Sequence, residues 1–490
     1  MKGASGRAYL EKIVQLGFDI PAIERKRVHR MLFEGLDAQI ADETVRKRFD
    51  QHRWGNIFVG GLQYYFETLR HVNRFLSTLS FQVSLFKGEG AFEVNPVDLI
   101  ALEVLRTFEP EVYRILPLTK GALTALTDIG TGDREQPRAE LLGIVQRVPE
   151  ERRERVQEII KQLFPSAEWA FGGARYGPDF GEGWFRDLRV CSEDVFDRYF
   201  HLALPEGDLA QAVIDRIVAA AGDRQRLRGE FEKLAREGKL DVAVDRLEAY
   251  KQQMPVEHAS TFATALFDIG DQLSEEGGGF FEIPPARHAN RIIFWYVKEH
   301  QDLAVRANAL LNAIRTTDGL ALPVSFVSLI ESSSNKAGAE AYLTTEDLAS
   351  LKQACLEKIR AAASDGRLVH STRIGSILHR WREWGGEQEP KNYCAQIILD
   401  ARGLLQLLKS FVLVTRIHGL SDHVVRTRSF MRIGDLEPFV TMEALEQEVR
   451  KLDESALSEE QKRVVSAFRK AAVRKRMGKK DDDPSSQDWD

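Results

Sequence analysis

Apolar residues recur three and four positions apart along most of the chain, with charged residues between them. The pattern is strongest in residues 152–164, 209–236, 304–315 and 346–363. This is the period of an amphipathic α-helix, which buries one face and exposes the other. The sequence therefore predicts a mainly α-helical fold.

Few segments show a period of two, and the best of them lies near the amino terminus of the chain. Val14, Leu16, Phe18 and Ile20 alternate with other residues, and Pro21 follows them. Such alternation predicts a β-strand, which the proline would end because it cannot donate to the ladder. Since few other segments alternate, we expect this strand to belong to a sheet built mostly by residues outside this chain. An unpaired strand of this kind predicts self-association or binding to the missing part of the sheet.

Clusters of glycine and proline divide the chain. They predict loops at residues 127–137, 172–183 and 275–285. No repeat of fixed period is visible, so the sequence does not predict a solenoid. Near the end, residues 469–480 hold seven basic residues and no acid, and residues 481–490 hold five aspartates. The low apolar content there predicts a disordered tail.

Composition narrows the class of protein further. The 490 residues include 74 acidic and 68 basic ones, and this near-balance is not the footprint of a dedicated nucleic-acid binder. The longest run without Asp, Glu, Lys or Arg is residues 54–66, far shorter than the ~20 residues that span a bilayer. The three cysteines are too few for a disulfide framework, so we expect reduced thiols and a cytoplasmic location.

No catalytic constellation is visible. A phosphate-binding loop has the spacing GxxxxGK[ST], because backbone N–H groups, a lysine and a hydroxyl must converge on phosphates and Mg²⁺. The Gly-Lys pairs at 238–239 and 478–479 are followed by Leu240 and Lys480 and do not fit. No histidine or cysteine spacing is typical of a metal site either. We therefore predict no catalytic residue, no metal site and no ATP hydrolysis by this chain alone.

Two motifs resemble those of a known family. Residues 9–15 (YLEKIVQ) and 18–21 (FDIP) resemble the YLEKIxQ…FxLP signature of KAP-family P-loop NTPases. Residues 68–76 (TLRHVNRFL) resemble the later TPRxVxRFLN segment, although Leu69 replaces its proline and Ser77 its last asparagine. Looser similarity continues through residues 93–110 and 189–200. The family keeps residue types such as Glu11, Lys12 and Gln15, to which we assign no chemical role.

The resemblance implies a domain organisation. Residues 1–21 correspond to the last strand region of a P-loop NTPase core, and residues 22–126 to its helical lid. Residues 138–468 correspond to a helical extension, which would divide near 275–285 if it forms two subdomains. Residues 469–490 are the basic and then acidic disordered tail. The expected fold is thus mainly α, with a short remnant of an α/β NTPase domain at the start.

The second motif also carries the candidate site. On a helix, one stripe is apolar and the opposite stripe carries Arg70, Asn73, Arg74 and Ser77. Two guanidinium groups one turn apart present forked donors that suit phosphate oxygens. The resemblance implies that Arg70, Asn73 and Arg74 contact a nucleotide, because a lid arginine in related NTPases senses the terminal phosphates. The alternative is a solvated amphipathic helix. The apolar stripe consists of Leu69, Val72, Leu76 and Leu79.

Three functions are compatible with these patterns. The first is the lid and helical regulatory portion of a KAP-type ATP-driven switch, for which bacterial relatives suggest phage exclusion or defence. It requires a P-loop core, as an upstream polypeptide or a missing amino-terminal half, and ATP and Mg²⁺ would bind only with that core. The second is a non-enzymatic helical module that binds a protein partner or a second copy. The third is nucleic-acid binding through residues 469–480. No membrane partner is expected.

Overall fold

The computed structural model describes residues 23–126, 135–201, 204–205, 207–274, 283–334, 341–418 and 425–478. They belong to two compact units, Met1–Asp215 and Arg216–Asp490. The predicted strand at residues 14–20 and the predicted tail from residue 479 onward lie outside the described residues. So do residues 127–134 and 275–282 of two predicted loops.

The described residues of the first unit are helical. Their α-helices are α1 (Arg25–Gln39), α2 (Glu43–Arg46), α3 (Gln51–Gly60), α4 (Leu69–Leu85), α5 (Pro96–Phe108), α6 (Pro110–Ile115), α7 (Lys120–Thr124), α8 (Glu135–Val145), α9 (Glu150–Leu163), α10 (Gly181–Arg186) and α11 (Glu193–His201). Helix α12 (Gln211–Ala219) contains the point of division between the units.

One hydrophobic core unites the first unit. It runs from Val28 on α1 to Tyr199 on α11, and it includes residues from both sides of the undescribed segment 127–134. Helix α8 packs against α6 and α7, which precede that segment. The structure therefore places the division after Asp215 rather than between residues 126 and 138, because the helices on either side of the glycine-rich segment bury their apolar faces against each other.

A buried ion cluster holds this unit together. The carboxylate of Asp98 on α5 is fully buried. Arg189 Nε and the Val190 N–H both donate to Asp98 Oδ2, each at a distance of 2.9 Å. Arg53 from α3 donates to Oδ1. Burial alone would raise the pKa of Asp98, but the two guanidinium groups and these hydrogen bonds outweigh it, so the pKa lies below its ordinary value. One carboxylate thus joins α3, α5 and the segment before α11.

The second unit is also mainly helical. Its remaining elements are α13 (Arg224–Arg236), α14 (Leu240–Leu247), α15 (Ala259–Ile269), α16 (Pro285–Lys298), α17 (Leu303–Thr316), α18 (Ala321–Ser334), α19 (Thr345–Ser364), α20 (Ile374–Gly385), α21 (Gln388–Ile397), α22 (Ala401–Ser410), β1 (Val412–His418), β2 (Val425–Met431), α23 (Ile433–Leu436), α24 (Met442–Arg450) and α25 (Glu459–Arg476). Strands β1 and β2 pair antiparallel, with Val412 opposite Met431. Across the described residues the predicted mainly α fold is confirmed.

The helices of the second unit stack in pairs. Helices α13, α15, α17 and α19 pack each against the next of the set, and α14, α16, α18, α20 and α22 do the same. This next-but-one packing is the arrangement of an α-solenoid, in which consecutive helix pairs bury a continuous core. The sequence, which has no repeat of fixed period, does not predict this packing. The pairs begin at Arg224, Ala259, Leu303, Thr345 and Gln388, so their spacing varies and leaves no fixed sequence period.

The predicted helices agree with the structure except at one break. Residues 152–164, 304–315 and 346–363 correspond to α9, α17 and α19. Residues 209–236 form two helices instead of one. A β-carbon at Gly222 would stand 2.7 Å from the ring of His258, and the side chain of Asp223 accepts from the Arg226 N–H at 3.0 Å. This cap begins α13 and explains the break.

The basic carboxy-terminal segment begins inside a helix. Helix α25 starts with a capping box between Ser458 and Gln461 and extends to Arg476. Phe468 and Ala471 of this helix are buried. Residues 469–476 are therefore ordered, which corrects the expectation that the disordered tail begins at residue 469. Among the described residues, no helix is long and apolar enough to cross a membrane.

We predict that Asp98→Asn lowers the free energy of unfolding of the first unit by about 3 kcal/mol, because it leaves two arginines without their buried partner. The stabilisation that the Asp98 carboxylate gives to the folded state should be fully present above about pH 4. It should be lost as the pH falls further, since the pKa of this carboxyl is lowered in the folded state. Urea denaturation combined with peptide-resolved hydrogen exchange measures the change. Glu111→Gln, which breaks the exposed pair with Arg114, is the control. Equal effects of the two substitutions would contradict the role of the cluster.

A second prediction concerns the turn between α17 and α18. A β-carbon at Gly319 would stand 1.9 Å from the carbonyl oxygen of Phe267 on α15. We expect Gly319→Ala to destabilise the second unit by about 1–3 kcal/mol, because backbone must move to make room. Gly229→Ala on α13 meets no atom within 4 Å and should be neutral or stabilising. Thermal unfolding of both variants checks this contrast, and an unchanged melting temperature for Gly319→Ala would show that the turn relaxes freely.

Candidate functional site

Helix α4 carries the predicted site residues. Thr68 precedes the helix, and its hydroxyl accepts from the His71 N–H at 3.3 Å. Such a cap satisfies a backbone donor that has no partner inside the helix. The helix then runs for 17 residues to Leu85. The predicted helix is thus present, and its first turn contains Arg70.

The buried face of α4 differs slightly from the predicted stripe. Val72 and Leu79 are buried, while Leu69 and Leu76 are only half-buried. The fully buried Phe75, which the predicted stripe omits, lies at the centre of the face. The helix is therefore rotated so that the aromatic ring, the largest apolar group available, takes the deepest position.

Close packing fixes the position of α4. A β-carbon at Gly35 on α1 would stand 2.2 Å from Leu76 Cδ1, so glycine allows the close approach of the two helices. At the start of α4, the ring of Phe66 lies edge-on to Phe75 at 5.0 Å and to Phe108 of α5 at 5.7 Å. These contacts hold the first turns of α4 against α5. The opposite face is then directed outward.

The predicted polar stripe forms one exposed face. Arg70, Asn73, Arg74 and Ser77 are all exposed. Ser77 Oγ donates to the backbone oxygen of Asn73 at 2.8 Å. Among the described residues, the guanidinium groups of Arg70 and Arg74 have neither a hydrogen bond nor an ion pair. The structure brings the predicted residues together on the helix, and both forks of donors are available to a ligand.

Two apolar residues continue the same face toward the end of α4. Phe81 is 61% exposed and Leu85 is 40% exposed. Phe81 follows Ser77 by four residues and Arg74 by seven, so the three share a helix face. The predicted polar stripe did not include these residues. The signal was a large aromatic residue in an otherwise polar stripe. Together the face offers cationic donors at one end and an apolar surface at the other.

Other chemically suggestive residues have structural roles. Asp268 and Asp400 follow apolar runs, as metal-holding aspartates do in P-loop proteins. Asp268 instead pairs with Arg224 at 2.8 Å, and Asp400 accepts from the Gly403 N–H at 2.9 Å to cap α22. Within the part of the chain that the structure describes, no group of His, Cys, Asp and Glu could hold a metal ion. These aspartates therefore stabilise the helical stack.

Helix α11 and the segment before it are likewise part of the core. Phe196 and Tyr199 are buried, and Tyr199 Oη donates to the carbonyl of Leu188 at 2.6 Å. Burial raises the pKa of Cys191 to about 12, which leaves its thiol protonated and unreactive at neutral pH.

The basic end of α25 is partly neutralised. Lys475 pairs with Glu437, and Arg476 pairs with Glu446. Both acids line an open surface depression together with these cations. Because each of these charges has an acidic partner, the carboxy-terminal helix presents less positive potential than its sequence predicts.

Comparison with known proteins complements this description. The described fold defines a mainly α-helical protein with two units, whose candidate site is an arginine-bearing helix face. Residues 1–86 match the KAP family P-loop domain, and the KAP resemblance of this segment is thereby confirmed. The match ends at the carboxy-terminal end of α4 and so includes Arg70, Asn73 and Arg74. No curated protein and no solved structure matches the chain.

We predict that the purified 490-residue chain shows no magnesium-dependent ATP hydrolysis, because its sequence has no GxxxxGK[ST] motif to hold the phosphates. Phosphate release measured through successive purification steps tests this. An Arg70→Ala/Arg74→Ala preparation controls for contaminating ATPases, whose rate the substitutions would not alter. Turnover that stays proportional to the chain and falls in the double variant would refute the prediction.

Proposed function

We propose that this chain is the lid and helical regulatory portion of a KAP-type ATP-driven switch. The observation that carries the proposal is the exposed pair Arg70 and Arg74, one turn apart on α4 and without partners among the described residues. Because the family match includes this helix, the arginines belong to the segment related to an NTPase domain. A P-loop core would come from an upstream polypeptide or from a longer form of this chain.

The two arginines would act on the nucleotide from outside the core. ATP with Mg²⁺ would be held by the core and would supply the phosphoryl group that is transferred. Arg74, and to a lesser degree Arg70, donates hydrogen bonds to the terminal phosphate oxygens and stabilises the charge that develops during the transfer. Asn73 on the same face can donate a further hydrogen bond. When the phosphate leaves, these contacts are lost and α4 is free to separate from the core.

Packing links this change to the rest of the first unit. Helix α4 contacts α1 through Leu76 and Gly35, and α5 through the rings of His71 and Phe108. A movement of α4 toward or away from a core would therefore move two neighbouring helices. Such a transmission of nucleotide state by a lid is a known mode of switching.

A second candidate function is a protein-interaction module. The helix pairs of the second unit favour it, because stacked pairs present extended surfaces that often bind other proteins. The two functions are compatible if the first unit responds to nucleotide and the second binds a partner or a second copy. From the family resemblance we further propose a role in bacterial phage exclusion or defence and a cytoplasmic location. Binding of a partner irrespective of nucleotide would favour the interaction module alone.

We predict that Arg74→Ala lowers ATP turnover at least about tenfold, roughly 1.4 kcal/mol of transition-state stabilisation, once a P-loop core is supplied. Arg70→Ala should have a smaller effect. The core is provided as a co-expressed upstream polypeptide or as an extended reading frame, and turnover is measured by phosphate release at saturating ATP.

Two further variants make this test specific. Arg114→Ala removes an exposed arginine of the first unit that pairs with Glu111, and it should change turnover less than about twofold. Arg74→Lys retains the positive charge but lacks the forked donors of a guanidinium group. Its ATP turnover should therefore lie between those of the wild type and of Arg74→Ala. Unchanged turnover and nucleotide affinity in both Arg70→Ala and Arg74→Ala would show that the face is only solvated.

A further inference from the structure

The start of α1 carries an unusual charge pattern. Its first turn contains Arg25, Lys26 and Arg27, with no acidic residue, and Arg30 follows one turn later. All four side chains are exposed. Because the amino-terminal end of a helix is itself positive, cations there are unfavourable and acids are usual. An anion bound near this end of the helix would offset the unfavourable placement of these cations.

Arg155, from helix α9, joins this cluster through a shared contact with Tyr64. The guanidinium carbon of Arg25 lies 5.6 Å from the ring centroid of Tyr64, and that of Arg155 on α9 lies 5.3 Å from it. Tyr64 is 40% exposed. Cation–π contacts at these distances hold both guanidinium groups at the surface without neutralising them. The tyrosine thus positions two like charges around one ring.

The cations of this cluster lack acidic partners. In the described ranges, none of Arg25, Lys26, Arg27, Arg30 and Arg155 forms an ion pair. We call these five residues the amino-terminal basic surface. Acids do occur nearby in sequence, at Glu24, Glu67 and Glu154, and all three are exposed. Glu34 and Glu151 also lie four residues from Arg30 and Arg155 on the same helices, but within the described ranges none of these acids forms an ion pair with the five cations.

The neighbouring helix adds to this charge. Arg25 lies beside Tyr64, shortly before α4, and Gly35 lies beside Leu76, farther along both helices. Helices α1 and α4 therefore run parallel, and their positive amino-terminal ends lie at the same end of the pair. Arg70, in the first turn of α4, lies at that end too.

We propose that the amino-terminal basic surface binds the phosphate backbone of nucleic acid. Several separated, unpaired cations suit a chain of phosphates better than a single phosphate group. A lipid surface fits less well, because a membrane-bound helix must insert its apolar face. Most of the apolar face of α1 is already buried in the core as Val28, Leu32 and Leu36, although Ile23, Met31 and Phe33 are 41%, 37% and 37% exposed. The surface reads no bases, so binding is independent of sequence and sensitive to salt.

This assignment differs from nucleic-acid binding at the carboxy-terminal end. There Lys475 and Arg476 already pair with Glu437 and Glu446, so a phosphate would have to displace those acids. It is also independent of the proposed switch, since it requires no P-loop core and no ATP. Failure of either proposal would therefore leave the other standing.

Fluorescence anisotropy of a labelled mixed-sequence DNA duplex with the full chain tests the proposal. Affinity should fall at least about tenfold between about 50 and 200 mM salt, because counterions are released from the DNA on binding. Lys26→Ala/Arg27→Ala should weaken binding about tenfold at the lower salt. It should also reduce the slope of log affinity against log salt by about two, one for each lost phosphate contact.

Matched variants locate the surface. Arg226→Ala/Lys233→Ala removes two exposed cations of α13 and should change affinity less than about twofold. Circular dichroism melting confirms that each variant is folded. The proposal is overturned if the wild type does not bind the duplex, or if Lys26→Ala/Arg27→Ala binds as well as wild type. It is also overturned if only Lys475→Ala/Arg476→Ala abolishes binding, or if phosphatidylserine vesicles are bound through Lys26 and Arg27 while DNA is not.

Discussion

The buried carboxylate of Asp98 constrains the first unit more than any other group. A charge without solvent must be surrounded by opposite charge and hydrogen-bond donors, and here Arg53, Arg189 and the Val190 N–H supply them. These donors come from distant parts of the sequence, so the cluster sets the placement of α5. Phe108 at the end of α5 in turn supports the start of α4. The outward direction of Arg70 and Arg74 thus depends on an ion cluster elsewhere in the core.

The exposed cations of the protein fall into two groups. Many are matched with an acid, as Arg114 is with Glu111 and Lys475 with Glu437. Those at the amino-terminal ends of α1 and α4 are not matched among the described residues. Matched surface pairs contribute little to stability and present little potential to a ligand. Unmatched cations at helix amino termini reduce stability and increase attraction for anions. This contrast indicates where the chain is built for binding rather than for folding.

The sequence predicted those features that depend on local spacing. The mainly α fold and the helix with an arginine face follow from three- and four-residue periodicity, and α17 and α19 lie within a residue of their expected bounds. The helix stack of the second unit was not predictable, because it depends on contacts between helices of uneven spacing. The break within residues 209–236 follows from the cap by Asp223, a local signal that the periodicity did not include. The hairpin of β1 and β2 was also missed, although β-branched residues are frequent in Val412–His418. Which basic side chains form ion pairs could not be predicted either, since acidic partners such as Glu437 and Glu446 are distant in sequence.

The next-but-one packing of the helices in the second unit has a mechanical consequence. Each pair touches mainly its immediate neighbours, so a small rotation at one junction does not require a rearrangement of the whole core. Rotations of a few degrees at successive junctions add up along the stack. This packing therefore favours gradual bending of the unit over many junctions rather than movement at a single hinge. Rigid contacts such as the approach of Gly319 to the Phe267 carbonyl would set how stiff an individual junction is.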